Sequence, residues 1–168
     1  MFKGKKGVIM GVANHLSIAS GVAQFLHEQG AELAFSHLPD ADERGKMEAR
    51  VRKVTDPLGA KIVLPCDVGS DDSIATFFQN IQKNMGIIDF LVHSIAFASV
   101  EDIRRPTLLA SREGFKQAMD ISCYSLIATS RAASELMTDG GFFVTKRYFL
   151  GGREVAGYKF GGVCSTPP

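Results

Sequence analysis

Gly11-Val12-Ala13-Asn14-His15-Leu16-Ser17-Ile18-Ala19-Ser20-Gly21 is the stretch that decides how this chain reads. It follows the apolar run Val8-Ile9-Met10 and opens a segment with apolar residues at helical spacing: Ile18, Val22, Phe25 and Leu26, closed by Gly30. A strand, a loop of small residues and an amphipathic helix within thirty residues form the first half of a dinucleotide-binding unit. In such a unit glycine lets the backbone approach a pyrophosphate, and the free N–H groups of the helix start face it. The usual Gly-x-Gly-x-x-Gly is absent; Gly11 and Gly21 carry the glycine signal, and Ser17 is placed both as helix N-cap and as a phosphate donor. Taken alone, the loop leaves another reading open, because strand–glycine–helix turns also occur in α/β proteins that bind no nucleotide.

Working outward, strand and helix patterns alternate. Ala31 to Ser36 reads as a second strand, residues 40–55 as a charge-rich surface helix with Met47, Val51 and Val54 on one side, and Lys61 to Pro65 as a third strand leading into Cys66-Asp67-Val68. Ser70 caps the next helix, Asp71 and Asp72 sit in its positive first turn, and Ile74, Phe77, Phe78 and Ile81 share one face. Gly86 ends it. Ile87 to His93 is nearly continuous apolar sequence, as expected of a strand buried on both faces. A long helix is expected from Ser111 to Met137, stopped by Gly140-Gly141, and Phe142 to Thr145 begins a fifth strand. This alternation predicts an α/β fold: a Rossmann-like, doubly wound parallel sheet that breaks off after the fifth strand, in one dinucleotide-binding domain over residues 1–168.

Composition agrees with a single globular domain. The 168 residues are 45% apolar and carry 19 basic and 18 acidic side chains, so no basic stripe points to nucleic acid. The start, Met-Phe-Lys-Gly-Lys-Lys, has no apolar stretch of signal-peptide type, and no run approaches the ~20 residues that span a bilayer. Cys66, Cys123 and Cys164 are isolated, with no metal-ligand spacing; reduced thiols, a cytoplasmic location and no metal are expected.

Several motifs then occur in one order: the Gly11–Ile18 loop, Ala31-Glu-Leu-Ala-Phe35, Leu64-Pro-Cys-Asp67-Val68, Val92-His-Ser94-Ile95-Ala96-Phe97, Asp120-Ile-Ser122-Cys-Tyr124-Ser125, and Tyr148 ten residues before Tyr158. Together they resemble the bacterial enoyl-acyl-carrier-protein reductases, a divergent branch of the short-chain dehydrogenases, with a continuous match over about Phe2 to Gly141. The resemblance implies NADH-dependent reduction of an enoyl thioester on acyl carrier protein in type II fatty acid synthesis, by a homo-oligomer that is tetrameric in the family. It places Gly11, Ala13, Ser17 and Ile18 around the pyrophosphate and ribose, Asp67 and Val68 at the adenine, and Ser94, Ile95 and Ala96 at the nicotinamide end. Asp67 has a plainer option, capping a loop N–H. His93 is expected to be a packed, hydrogen-bonded histidine, while Ser122 and Tyr124 would support the site from the long helix.

Two departures from the family pattern matter. Leu38 stands where the family usually carries glutamine; Asp40 and Asp42 then favour NADH, and Arg44 keeps NADPH possible. In the family a tyrosine matching Tyr158 hydrogen-bonds the thioester carbonyl, Tyr148 lines the same pocket, and a lysine seven residues after the second tyrosine holds the ribose. Here that position is Ser165, flanked by Gly161-Gly162 and Pro167-Pro168, which disfavour a helix. A shortened relative, a frame-disrupted one and an incomplete chain all fit this pattern. So do a cofactor-binding module without turnover and a non-functional remnant. A dehydrogenase of small alcohols fits less well: its lysine would fall four residues after Tyr158, at Gly162.

Overall fold

In the computed structural model, residues 1–40, 42 and 44–146 are described. Strands β1 (Lys6–Met10), β2 (Glu32–His37), β3 (Ile62–Pro65), β4 (Phe90–His93) and β5 (Phe142–Thr145) form one sheet in the order β3-β2-β1-β4-β5. Every pairing is parallel, so each connection crosses over through helix, as the alternation predicts. The helices are α1 (Ile18–Glu28), α2 (Lys46–Thr55), α3 (Asp71–Met85), α4 (Val100–Arg104), α5 (Arg112–Met119) and α6 (Ser125–Ser134).

Strand alternation divides the core in two. Ile9, Leu33, Phe35, Val63, Phe90 and Val92 face the side covered by α1 and α2, where Ala19, Ala23, Leu26 and Val51 meet them. Val8, Met10, Ala34 and Leu91 face the other side and pack on Ile74, Phe77, Phe78 and Ile81 of α3 and on Ala128 and Ala133 of α6. Both faces are apolar, which is why β1 and β4 read as unbroken hydrophobic runs.

Some expected elements shift. The second strand starts and ends one residue later than Ala31–Ser36, and the fourth begins at Phe90 rather than Ile87: Gly86 caps α3, and Ile88 N–H donates to the Leu136 carbonyl. The second helix starts at Lys46 rather than residue 40. The long helix is not regular: between α5 and α6 the turn Asp120–Tyr124 is wound as a π-helix. Two short elements, α4 and a 3-10 turn at Thr107–Leu109, lie between β4 and α5.

The outward residues of α1 also differ from expectation. Ile18 and Phe25 are more than half exposed. Among the described residues, the α1 side of β4 and β5 carries an apolar groove of about 570 Å³, lined by Phe2, Ile18, Val22, Phe25, Phe142 and Val144 among others. Phe90 stacks on Phe142 with ring centroids 5.4 Å apart and meets the edge of Phe2 at 5.9 Å. Gly7 lies in register with Phe90, and a Cβ there would fall 1.9 Å from the ring, so this aromatic cluster fixes glycine at position 7.

Candidate functional site

β1 and β4 are neighbours, yet the chain leaves β1 toward β2 and returns past it to β4. This is the topological switch point of a doubly wound sheet, and a crevice opens at the carboxyl ends of those strands. The loops around it hold nearly every residue expected to bind a cofactor.

Gly11 follows β1 with φ +93°. A Cβ on it would lie 2.2 Å from the carbonyl oxygen of Ser94. The glycine is therefore required by the close approach of the two loops leaving β1 and β4, and not only by a ligand. Gly21, by contrast, lies inside α1 with open space around it and makes no close approach.

Ser17 caps α1: its Oγ accepts from Ser20 N and donates to the Asn14 carbonyl at 2.7 Å. That hydroxyl hydrogen is already engaged, so a phosphate donor role for the Ser17 side chain would require breaking this bond. The N–H groups of Ile18 and Ala19 lie ahead of the first intrahelical acceptor and open the positive end of α1 instead. Ala13 is exposed above them.

At the end of β3, Asp67 is exposed; its Oδ1 accepts from Gly69 N at 2.9 Å and its own N–H donates to Ser73 Oγ at 2.9 Å. The capping role considered for Asp67 is thus present. Val68 is buried against α3 and the sheet.

Beyond β4, Ser94 N donates to the Met10 carbonyl at 3.0 Å, tying the two loops together. Ser94 is buried and its Oγ has no hydrogen-bond partner. Ile95 packs toward the core, while Ala96 and Phe97 are exposed. Ser122, in the π turn, receives Phe97 N–H at 2.9 Å and donates to Phe97 carbonyl at 3.1 Å. The π turn thereby holds the loop after β4 from across the crevice. Tyr124 is exposed.

His93 is fully enclosed, as its packed role requires. Ser125 Oγ donates to the Ile121 carbonyl at 2.6 Å and sits 2.8 Å from His93 Nε2, so it accepts the Nε2–H. Burial pushes the imidazole pKa down to about 4, and the ring is neutral. Its partner Ser125 closes the Asp120–Ser125 motif, where the sequence gives it no role; only the register of helix against strand reveals it.

A further polar group at this edge was missed. His37, the last residue of β2, is 8% exposed; its Nδ1 lies 2.9 Å from the Leu38 carbonyl and its Nε2 has no partner. Among the described residues, buried side-chain polar atoms without a partner are His37 Nε2, Ser94 Oγ and Thr55 Oγ1, and the first two flank the crevice. Strand alternation past Phe35 is the signal by which it could have been found.

Tyr148, Tyr158 and Ser165 lie outside the described residues. The described residues hold no grouping of three or more His, Cys, Asp or Glu side chains able to bind a metal, and no helix among them is long and apolar enough to cross a membrane.

Comparison with known proteins gives consistent matches. Residues 11–164 match the family model described as enoyl-(acyl carrier protein) reductase. The chain is 43% identical over 163 residues to the enoyl-acyl-carrier-protein reductase (NADH) FabI of Nostoc sp., covering 97% of this chain and 62% of that protein. It superposes with TM-score 0.89 and 36% identity on the enoyl-acyl-carrier-protein reductase of Anaplasma phagocytophilum, solved in complex with NAD, over 98% of this chain and 61% of that one. With the Bacillus cereus enzyme, solved with NADP+ and indole naphthyridinone, the TM-score is 0.87 at 40% identity, over 98% and 63% of the two chains. The chain thus spans about three fifths of the length of these relatives.

Proposed function

Because the chain belongs to the enoyl-acyl-carrier-protein reductase family, we propose that its crevice binds NADH for the reduction of an enoyl thioester carried on acyl carrier protein. The observation that carries the reading is the pairing of Gly11 with Ser94 at the switch point. Their backbones meet so closely that no side chain fits at position 11, and buried, unpartnered polar atoms stand on either side. Unsatisfied buried polar atoms are costly, and a polar ligand relieves that cost.

In this proposal Gly11, Ala13, Ser17 and Ile18 surround the pyrophosphate, chiefly through backbone N–H groups at the start of α1. Asp67 keeps one carboxylate oxygen for the adenine amino group while the other caps Gly69, and Val68 closes the pocket floor. Ser94, Ile95 and Ala96 border the nicotinamide ribose, held by the Ser94–Met10 bond and the Ser122–Phe97 clamp. A bound nicotinamide supplies the hydride. Tyr158, by its family position, donates a hydrogen bond to the thioester oxygen as it gains enolate character, and Tyr148 lines the acyl pocket. A cytoplasmic location and homo-oligomerisation belong to the same proposal.

A second reading, cofactor binding without efficient turnover, is favoured by one feature. Ser165 replaces the lysine that supplies positive potential beside Tyr158 in the family. The two readings separate in one experiment: titrate NADH, then follow its oxidation with a crotonyl thioester. Binding with turnover supports the reductase, binding alone supports the module, and absence of binding refutes both.

A further inference from the structure

The site that meets the ribose 2′-oxygen in a doubly wound fold lies just past the second strand, where an acidic side chain accepts from a hydroxyl or a basic one meets a phosphate. Three of the charged residues that follow β2 here have partners of their own. Asp40 Oδ1 accepts the Met47 N–H at 2.9 Å and anchors the first turn of α2. Arg44 Nε donates to Asp42 Oδ2 at 2.6 Å, so these two neutralise each other. Leu38 offers no polar group.

His37 stands at the same strand end with an unpartnered ring nitrogen. In β2, Ala34 belongs to the α3 side of the core and Phe35 to the α1 side, so alternation places His37 on the α1 side, at the carboxyl edge. This is the edge from which the Gly11–Ser17 turn also leaves. Its Nδ1 neighbour is a carbonyl oxygen, which only accepts; Nδ1 therefore carries the hydrogen, and Nε2 of the neutral ring is a bare acceptor, buried and unpartnered. An acceptor in that position matches a donor on the ligand.

Resting on the proposed cofactor site, we infer that His37 is a specificity-determining residue which accepts a hydrogen bond at Nε2 from the adenosine 2′-hydroxyl of NADH and thereby disfavours NADPH. A ribose hydroxyl carries the hydrogen that Nε2 lacks. A 2′-phosphate, doubly ionised above about pH 7, presents only acceptors, so acceptor would face acceptor.

The test measures dissociation constants of NADH, NADPH and the adenosine 2′-deoxy analogue of NADH at pH 8, by nucleotide fluorescence. The unmodified protein should bind NADH more tightly than the 2′-deoxy analogue by roughly 2- to 12-fold, the range of one neutral hydrogen bond, and more tightly than NADPH. His37→Phe should bind NADH and the 2′-deoxy analogue equally, and His37→Gln, which keeps an acceptor, should retain part of the preference. Tighter binding of NADPH by the unmodified protein, equal binding of NADH and the deoxy analogue by it, or undiminished discrimination in a folded His37→Phe variant would each overturn the assignment. These outcomes leave the cofactor site standing. Failure of NADH itself to bind removes that site and the role of His37 with it.

Discussion

Replacing Gly11 by alanine should weaken the fold, whether or not a ligand is present. Two costs are visible. At φ +93° an L side chain strains the backbone, by roughly 1–2 kcal/mol for left-handed geometry. The new Cβ would also stand 2.2 Å from the Ser94 carbonyl, against an ordinary contact beyond 3.4 Å, so the loop after β4 must retreat by about an ångström. That retreat breaks the 3.0 Å Ser94–Met10 hydrogen bond, worth another ~0.5–1.5 kcal/mol. The sum is about 1.5–3.5 kcal/mol. With a urea m-value of roughly 1–3 kcal/mol/M, the unfolding midpoint should fall by on the order of 1 M at unchanged slope. Gly21→Ala is the matched control: it lies inside α1 in open space and should stabilise by about 0.5–1 kcal/mol. Urea unfolding followed by circular dichroism measures both. A Gly11→Ala protein as stable as the original would show that the two loops do not meet as described.

Further outcomes follow from the same geometry. His93 is neutral in the fold with a pKa near 4, against 6.5 when exposed, so the unfolded chain binds its proton first as pH falls. Its part of the stability is intact above pH 6.5 and is lost toward pH 4, by roughly 3 kcal/mol in all; comparing unfolding midpoints at pH 7.5 and 4.5 should show a smaller drop in His93→Gln. Ser122→Ala removes both bonds to Phe97 and should raise the NADH dissociation constant several-fold with little loss of helix content, whereas unchanged affinity would mean the loop after β4 holds its shape unaided. Turnover with a crotonyl thioester should stay below about 1 per second, because Ser165 supplies no charge beside Tyr158, and faster oxidation of NADH would show that the lysine is dispensable.

The layout of the fold was legible because its signals are local. Val8-Ile9-Met10, Phe90 to His93 and the capped helix after Ser70 each announce their type within a few residues, and alternation of strand with helix then leaves little freedom in topology. The π turn at Asp120–Tyr124 was not legible, since its apolar spacing also fits a regular helix; the bonds of Ser122 to Phe97 and of Ser125 to His93 exist only in three dimensions. Ile18 and Phe25 mark another limit. Helical spacing identifies an apolar stripe but not what covers it, and here half of each side chain borders the groove beside β4 and β5. In the candidate site, Gly11 and Ser94 were identified from motif order, yet the reason they belong together, a 2.2 Å approach, exists only in three dimensions. His37 carried no motif at all, and its unpartnered nitrogen emerges only once burial and partners are known.

The crevice at the switch point between β1 and β4 is proposed to hold NADH. Titrating the 168-residue chain into NADH and following the nucleotide's fluorescence tests it most directly. Saturable binding of one nucleotide per chain is expected, with a dissociation constant below about 1 mM, weakened when ADP-ribose competes for the same edge of the sheet. A folded chain that leaves the NADH signal unchanged across that range would contradict it.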